Sequence, residues 1–336
     1  MVTSKASASP AYASNWETRV DFEGFTLPQH IGVCVNYGAH IWYQVQSTAE
    51  RELATQLGIA LDIVDADMDA VRQAAQVEQF IEQGVDVLIF SAADPSSAPK
   101  LLKRVHEAHI PVVTESLWIE SPAVATKVMI NDFIGGQKLG RAAAEWVRSR
   151  MGGRAKVLDV TVPRLDDGVR RSDGFLAGLR ESLPGTESFR VDGRAAIAAS
   201  ADAAAEVLRC DPTYNVIFGV DDESAIGART AYEQLDIALD DVLICSFGFS
   251  GPQAYDWLES GIYQIVCAMF PEYQARMLIH AAIYAHNNSQ LPRHLVGPST
   301  VMTAETLPQY YVRTPEGVHL NVDAVRKVST VGEERT

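Results

Sequence analysis

The chain has 336 residues, 47% of them apolar and 21% charged, a composition that fits a packed globular protein of about two domains at ~150 residues each and excludes a disordered or collagenous chain. Its 43 acidic residues outnumber 28 basic ones for a formal charge of −15, and no basic run interrupts that balance, which argues against nucleic acid as a partner. No stretch approaches ~18 consecutive apolar residues, and residues 1–15, rich in Ser and Ala, lack the basic front and apolar centre of a signal peptide, so the chain reads as soluble, with its compartment undecided by this end alone.

Residues 1–29 have no clear period and read as an extension. From residue 30 short apolar runs of strand length alternate with amphipathic stretches of helical period, the pattern of βαβ units with buried parallel strands. Strands are predicted at 31–36, 59–66, 85–91 and 111–115. Between them Val45, Ala49, Leu53 and Leu57 repeat on one helical face, and Val71, Ala74, Ala75, Phe80 and Ile81 on the next. Gly58 and Gly84 follow these helices where a left-handed C-cap is expected. After a break at 121–127 a second series begins: strands at 128–130, 156–162, 188–192, 216–220, 242–247 and 264–269, with helices near 134–151, 169–183, 201–210, 224–235 and 252–260. A long helix over 273–287 and a short strand over 299–303 close the pattern, and residues 304–336, mixing Pro, Gly and charges, read as tail or surface-packed chain. Two successive strand sets predict an α/β protein of two doubly wound, Rossmann-like lobes.

The sequence has no GxGxxG after the first strand, no GxxxxGK[ST] and no GxSxG, so the common cradles and nucleophile elbows are missing. His106 and His109 read as a solvated helix face with no carboxylate at metal spacing. No cofactor and no metal are expected. Cys34, Cys210, Cys245 and Cys267 lack any CxxC, and three of them lie in strand-like runs, as buried, unpaired thiols do.

Ligands of doubly wound sheets bind beyond the carboxyl ends of the strands. There the first series places Asn36 to His40 with Trp42 and Tyr43, then Ser91 to Asp94, then Glu115, Ser116 and Trp118. The second series places Asn131 and Asp132, Arg164, Arg170, Arg171, Asp221 and Asp222, Phe247 to Phe249, and Met269 with Phe270. Aromatic faces beside charged hydrogen-bonding groups suit a small polar ligand with apolar faces, such as a sugar, a polyol or a ring compound. Each has a structural alternative: Trp42 and Tyr43 are adjacent and cannot both point one way, Asp94 can cap the helix ahead of Pro95, Asp221 to Glu223 can cap another, and Arg171 can pair with an acid of its own lobe.

These elements, in this order, resemble the type I periplasmic solute-binding proteins of the ribose and galactose class over residues 30–303. The likeness rests on the first strand with Trp42-Tyr43, on Gln83-Gly84-Val85-Asp86-Val87-Leu88-Ile89 with Asp94, and on Ile110-Pro111-Val112-Val113. It continues through Asn131-Asp132 with Gly135-Gly136, Arg171 with Gly174-Phe175, Val216-Ile217-Phe218 with Asp221-Asp222-Glu223, and Phe270-Pro271. The resemblance implies a first lobe of 30–130 plus 271–297, a second of 131–270 plus 298–312, and a tail over 313–336. It implies three crossovers with hinges near Asn131, 247–270 and Gly297, and closure of the lobes on a small solute delivered to the membrane permease of an ABC transporter. A monomer outside the cytoplasm, periplasmic or extracellular and membrane-associated, follows from the same likeness. Among the candidate contacts, Trp42 and Tyr43 match the family's aromatic pair, Asp94 its first-lobe acid and Asp221 its second-lobe polar residue, while His40, Glu115, Trp118, Arg171, Phe249 and Met269 are candidates by their places at the strand ends.

The sequence departs from the family's sugar-binding pattern at Gly248, where an acid is usual, at Met269, where an amide is, and at Val169, one turn before Arg171, where an arginine is expected. Lost acid and amide partners favour a less hydroxylated or more apolar ligand, an aromatic or amine compound among them. A receptor-coupled sensor of the same fold is the nearest alternative. An effector domain of a transcription factor lacks room for a DNA reader before residue 30, and an α/β enzyme finds its best acid–base pair in Glu115 and His40.

Overall fold

The computed structural model describes Phe22, residues 24–116 and residues 119–328. The chain runs through β1 (His30–Val35), α1 (Ile41–Leu57), β2 (Ala60–Asp65), α2 (Ala70–Gln83), β3 (Val87–Phe90), α3 (Ala98–Glu107), β4 (Val112–Glu115) and β5 (Val124–Met129). It continues with α4 (Asp132–Arg150), β6 (Lys156–Thr161), α5 (Asp166–Ser182), β7 (Glu187–Asp192), α6 (Ile197–Cys210), β8 (Val216–Gly219), α7 (Asp222–Gln234), β9 (Leu243–Gly248), α8 (Gly251–Glu259) and β10 (Ile265–Ala268). Last come α9 (Pro271–His286), β11 (His294–Val296), β12 (Thr300–Met302), α10 (Leu307–Tyr310), β13 (Tyr311–Thr314), β14 (Gly317–Leu320) and α11 (Val322–Arg326).

Two compact units result. The first takes the described residues up to Met129 together with Pro271–Gly297; the second takes Ile130–Phe270 and the described residues from Pro298 on. The sheet of the first unit has the order β11-β5-β4-β3-β1-β2 and is parallel throughout. The second repeats it as β12-β10-β9-β8-β6-β7, with only β12 antiparallel. The order turns back on itself at β1/β3 in the first sheet and at β6/β8 in the second, and in each sheet such a point is where a crevice opens outside the carboxyl ends of the strands.

In the first unit β3 and β4 are buried along their whole length, as strands covered on both faces must be. Cys34, Val77, Phe80, Leu88, Phe90, Leu102, Val105 and Val112 form the core on one face, and α9 covers the other beside α1. Gly58 and Gly84 adopt φ of 72° and 67° and close α1 and α2 as left-handed caps, a conformation a Cβ disfavours. The extension ahead of β1 is packed on α9: the rings of Phe22 and Phe25 lie 5.0 and 4.8 Å from His280 and Tyr284. Asn287 pairs with Thr26 there, accepting from its N–H at 2.9 Å and donating to its carbonyl at 2.8 Å.

The helix faces differ from the predicted stripes. In α1 the buried residues are Gln46, Glu50, Leu53 and Ala54, and in α2 they are Gln73, Val77 and Phe80, while Val71 is 81% exposed. Polar side chains with partners displace apolar ones from the sheet side, which a periodicity of apolar residues alone does not register. The helix holding His106 ends at Glu107, and His109 lies beyond it with φ 59°.

The second unit depends on the pairing of α4 with α5, where four glycines bring the two backbones into contact. A Cβ on Gly136 would stand 2.3 Å from the Arg171 carbonyl oxygen, and one on Gly140 2.1 Å from that of Phe175. On the facing helix, Gly174 and Gly178 meet the Phe133 and Gln137 carbonyl oxygens at 2.2 and 2.1 Å in the same way. This interlock sets the position of Arg171 against Asp132 at the N-terminus of α4.

Residues 313–328, read as tail or surface-packed chain, pack on the second unit through a hairpin that no strand prediction marks. β13 and β14 pair as a hairpin, and Arg313 bonds to Asp256 and stacks 4.3 Å over Tyr255 of α8. Tyr311 packs against Phe249 and Phe270. The strand β11 was not predicted either: three residues between a polar helix end and a Gly-Pro turn carry too short a signal.

Candidate functional site

At the carboxyl edge of the first unit, β1 passes into residues 36–39, a turn held by the Asp65 carboxylate at the end of β2, which accepts from the Gly38 N–H at 2.8 Å. His40 caps α1: its Nδ1 accepts from the Trp42 N–H at 3.1 Å, so the ring proton of a neutral His40 sits on Nε2. Trp42 and Tyr43 are both half-buried and Tyr37 is exposed at 40%, so this edge presents three aromatic side chains and an imidazole.

Glu115, at the end of β4, is only 3% exposed. Its Oε2 accepts from Ser91 Oγ at 2.6 Å and from Gln46 Nε2 at 3.3 Å, and the Trp42 side chain bonds to the same carboxyl group. Burial raises its pKa against these bonds. The loop after β3 is clamped by Gln73, whose Nε2 donates to the Ser91 carbonyl at 2.8 Å and whose Oε1 accepts from Ala93 N–H at 2.9 Å. Asp94 follows, half-buried. It accepts from the N–H and Oγ of Ser96 at 2.9 and 2.8 Å, which, with Ser97, lower its pKa. The N-cap of α3 is Ser97, so Asp94 closes a turn ahead of the helix and does not cap it. Trp118 lies outside the described residues.

At the carboxyl edge of the second unit, Arg171 donates from Nε to Asp132 Oδ1 at 2.8 Å and from Nη1 to the Val220 carbonyl at 3.2 Å, with its guanidinium carbon 4.7 Å from the centre of the Phe247 ring. Burial opposes its charge, but Asp132 and Asp167 outweigh it and hold the guanidinium above its usual pKa; burial outweighs Arg171 at Asp132 and raises that carboxyl. Arg164 and Arg170 are exposed.

Asp221 caps α7, accepting from the Ser224 N–H at 2.7 Å. Asp222 turns inward: Ser246 Oγ donates to it at 2.6 Å and the N–H groups of Phe249 and Ser250 at 2.9 and 3.0 Å. Gly248 is the last residue of β9, and a Cβ there would stand 3.0 Å from Asp222 Oδ2. An acid at Gly248 would meet a carboxylate already in place. Phe249 is 1% exposed with φ 71° and packs 4.9 Å from Tyr311; Met269 is 5% exposed.

The structure thus places His40, Trp42, Tyr43, Asp94 and Glu115 on one edge, and Arg171, Asp221, Phe249 and Met269 on the other. Sequence reasoning missed Gln73 on α2, and also Gln46 and Glu50, which a spacing of four residues from Trp42 would have marked as one face of α1.

Residues 31–289 match the family model described as "Periplasmic binding protein domain". The ribose import binding protein RbsB of Bacillus subtilis is 28% identical over 201 residues, which are 59% of this chain and 62% of that protein. The chain therefore spans about three fifths of the length of the first curated relatives it matches. An ABC transporter periplasmic solute-binding protein of Actinobacillus succinogenes, solved with bound D-allose, superposes with a TM-score of 0.76 at 22% identity, over 84% of this chain and 99% of that one. A solute-binding protein of Bacillus halodurans with bound myo-inositol gives 0.71 at 20% identity, over 85% and 98%. The type I fold of two parallel-sheet lobes flanked by helices is common to all of them.

Proposed function

The chain belongs to the periplasmic binding protein domain family, and on that premise we propose that it binds a small sugar, sugar alcohol or sugar-like solute outside the cytoplasm and delivers it to an ABC importer. The carboxyl edges of both sheets supply the contacts, and the two units close on the solute about hinges near Asn131, 247–270 and Gly297. The observation that carries this reading is the pair of unlike edges: aromatic faces of Trp42 and Tyr43 with the His40 ring on one, a fixed guanidinium at Arg171 on the other. Apolar faces of a sugar ring stack on aromatics, and its hydroxyls bond to forked donors; a guanidinium has five N–H groups, more than the bonds to Asp132 and Val220 use. The relatives with bound D-allose and myo-inositol, and the ribose import protein, support the polyhydroxylated class.

Binding energy in such a device goes into closure and not into a transition state, which leaves Glu115 and His40 without catalytic work. A thermal-shift panel of pentoses, hexoses, sugar alcohols, aromatic acids and amines tests the reading. A sugar or polyol at ~100 times its dissociation constant adds about 2.7 kcal/mol of stability. A response confined to aromatic acids or amines would overturn the proposed class.

A further inference from the structure

Beneath the edge of the first unit lies a buried acid pair that solute contact does not require. Gln46 and Glu50 are fully shielded on the sheet side of α1, and Glu115 reaches them from β4. Gln46 Nε2 stands 3.3 Å from Glu50 Oε1 and 3.3 Å from Glu115 Oε2. The Ser91 hydroxyl and the Trp42 indole also donate to Glu115. All the donors of the cluster therefore run to carboxyl oxygens, while Gln46 Oε1 and Glu50 Oε2 are buried without a hydrogen-bond partner.

Among the described residues no arginine or lysine is buried beside them, so two ionised carboxylates here would stand out of water, an arrangement that costs several kcal/mol per charge in order of magnitude. Arg51, next along α1, is exposed and its charge favours the ionised Glu50 against burial; α9, packed on α1, brings the half-buried Glu272 and Arg276 with the buried Tyr273 and His280, and β4 brings Glu115. A single proton removes one charge and adds the donor that the cluster lacks. Burial, and then the Glu115 charge, push the Glu50 carboxyl well above its usual range.

We propose that Glu50, Gln46 and Glu115 hold one shared proton and through it position the Trp42 indole, so that Glu50 is a positioning residue for the aromatic edge. The effect on solute affinity rests on the function proposed above; the position of Trp42 does not. The test is therefore made on the full chain without solute. The chain has five tryptophans, so the emission of Trp42 is taken as the difference between the wild type and Trp42→Phe, followed from pH 4 upward. The expected result is a titrating difference that Glu50→Gln abolishes. In Glu115→Gln, which removes the like charge, the midpoint moves to lower pH, and this second variant decides the matter if Glu50→Gln does not fold. A difference signal that is flat in the wild type, or that titrates alike in every variant, overturns the proposal. A flat solute panel with a titrating Trp42 signal would overturn the sugar reading and leave the shared proton standing.

Discussion

Arg171 shows how one side chain is fixed by groups of its own unit. An ion pair to Asp132, a bond to the Val220 carbonyl and the face of Phe247 hold its plane, so its free N–H groups point in a set direction and little entropy is lost on binding. Lysine at this position keeps the charge but loses the fork and the stacking surface. Arg171→Lys is expected to weaken solute binding by about tenfold or more, roughly 1.4 kcal/mol, measured by calorimetric titration, while Trp42→Ala removes an aromatic face and does the same. Equal affinity in both variants and the wild type would contradict the assignment of these two edges. The thiols give a check on the fold that is independent of solute. Burial holds Cys34 and Cys267 up at about 12 and raises Cys245 as well, whereas Cys210 is exposed. A thiol reagent at pH 8 should titrate one fast cysteine in the native chain and all four after unfolding.

At the scale of elements the glycine pairs of α4 and α5 and the polar face of α1 carry the structure of the two edges. Gly140→Ala puts a methyl group 2.1 Å from a carbonyl oxygen of the facing helix; overpacking of this kind costs about 1–3 kcal/mol or more, readable as a fall in the denaturant midpoint, and it shifts Arg171 with its helix. An unchanged midpoint would mean that the helices are not in contact there. Glu50 carries a pH dependence whose sign follows from its raised pKa. The folded state holds the proton more tightly than the unfolded chain, so this contribution is complete below the ordinary glutamate value of about 4.3 and is lost as pH rises through the folded value. Wild-type stability should therefore fall by up to about 1.4 kcal/mol per pH unit across that window, and Glu50→Gln should flatten the fall; parallel curves would contradict it.

The same elements show what could be read beforehand. The strand and helix alternation, the caps at Gly58 and Gly84 and the edge positions of Trp42, Arg171 and Asp221 are local signals of period, turn chemistry and strand ends. The buried face of α2 was not legible, because the partners of Gln73 lie 18 and 20 positions away, and Gln46 on α1 also reaches Glu115 across 69 positions. Gly248 read as a lost acid until the Asp222 carboxylate was seen beside it, a contact across 27 residues or so of sequence. The C-terminal hairpin was hidden for the opposite reason: its strands are short and half-exposed, with no apolar run to mark them.

For the whole molecule, the family and the repeated sheet order in both units support the proposal that this chain captures a polyhydroxylated solute. Its chain passes between the units after Met129, after Phe270 and after Gly297. Isothermal titration of the full chain with D-ribose, D-allose and myo-inositol tests that proposal most directly. The account predicts saturable binding of at least one of them at one site per chain, weakened in Trp42→Ala and in Arg171→Lys together. Saturable binding of a sugar or polyol that neither substitution disturbs, or no heat with any of the three, would contradict it.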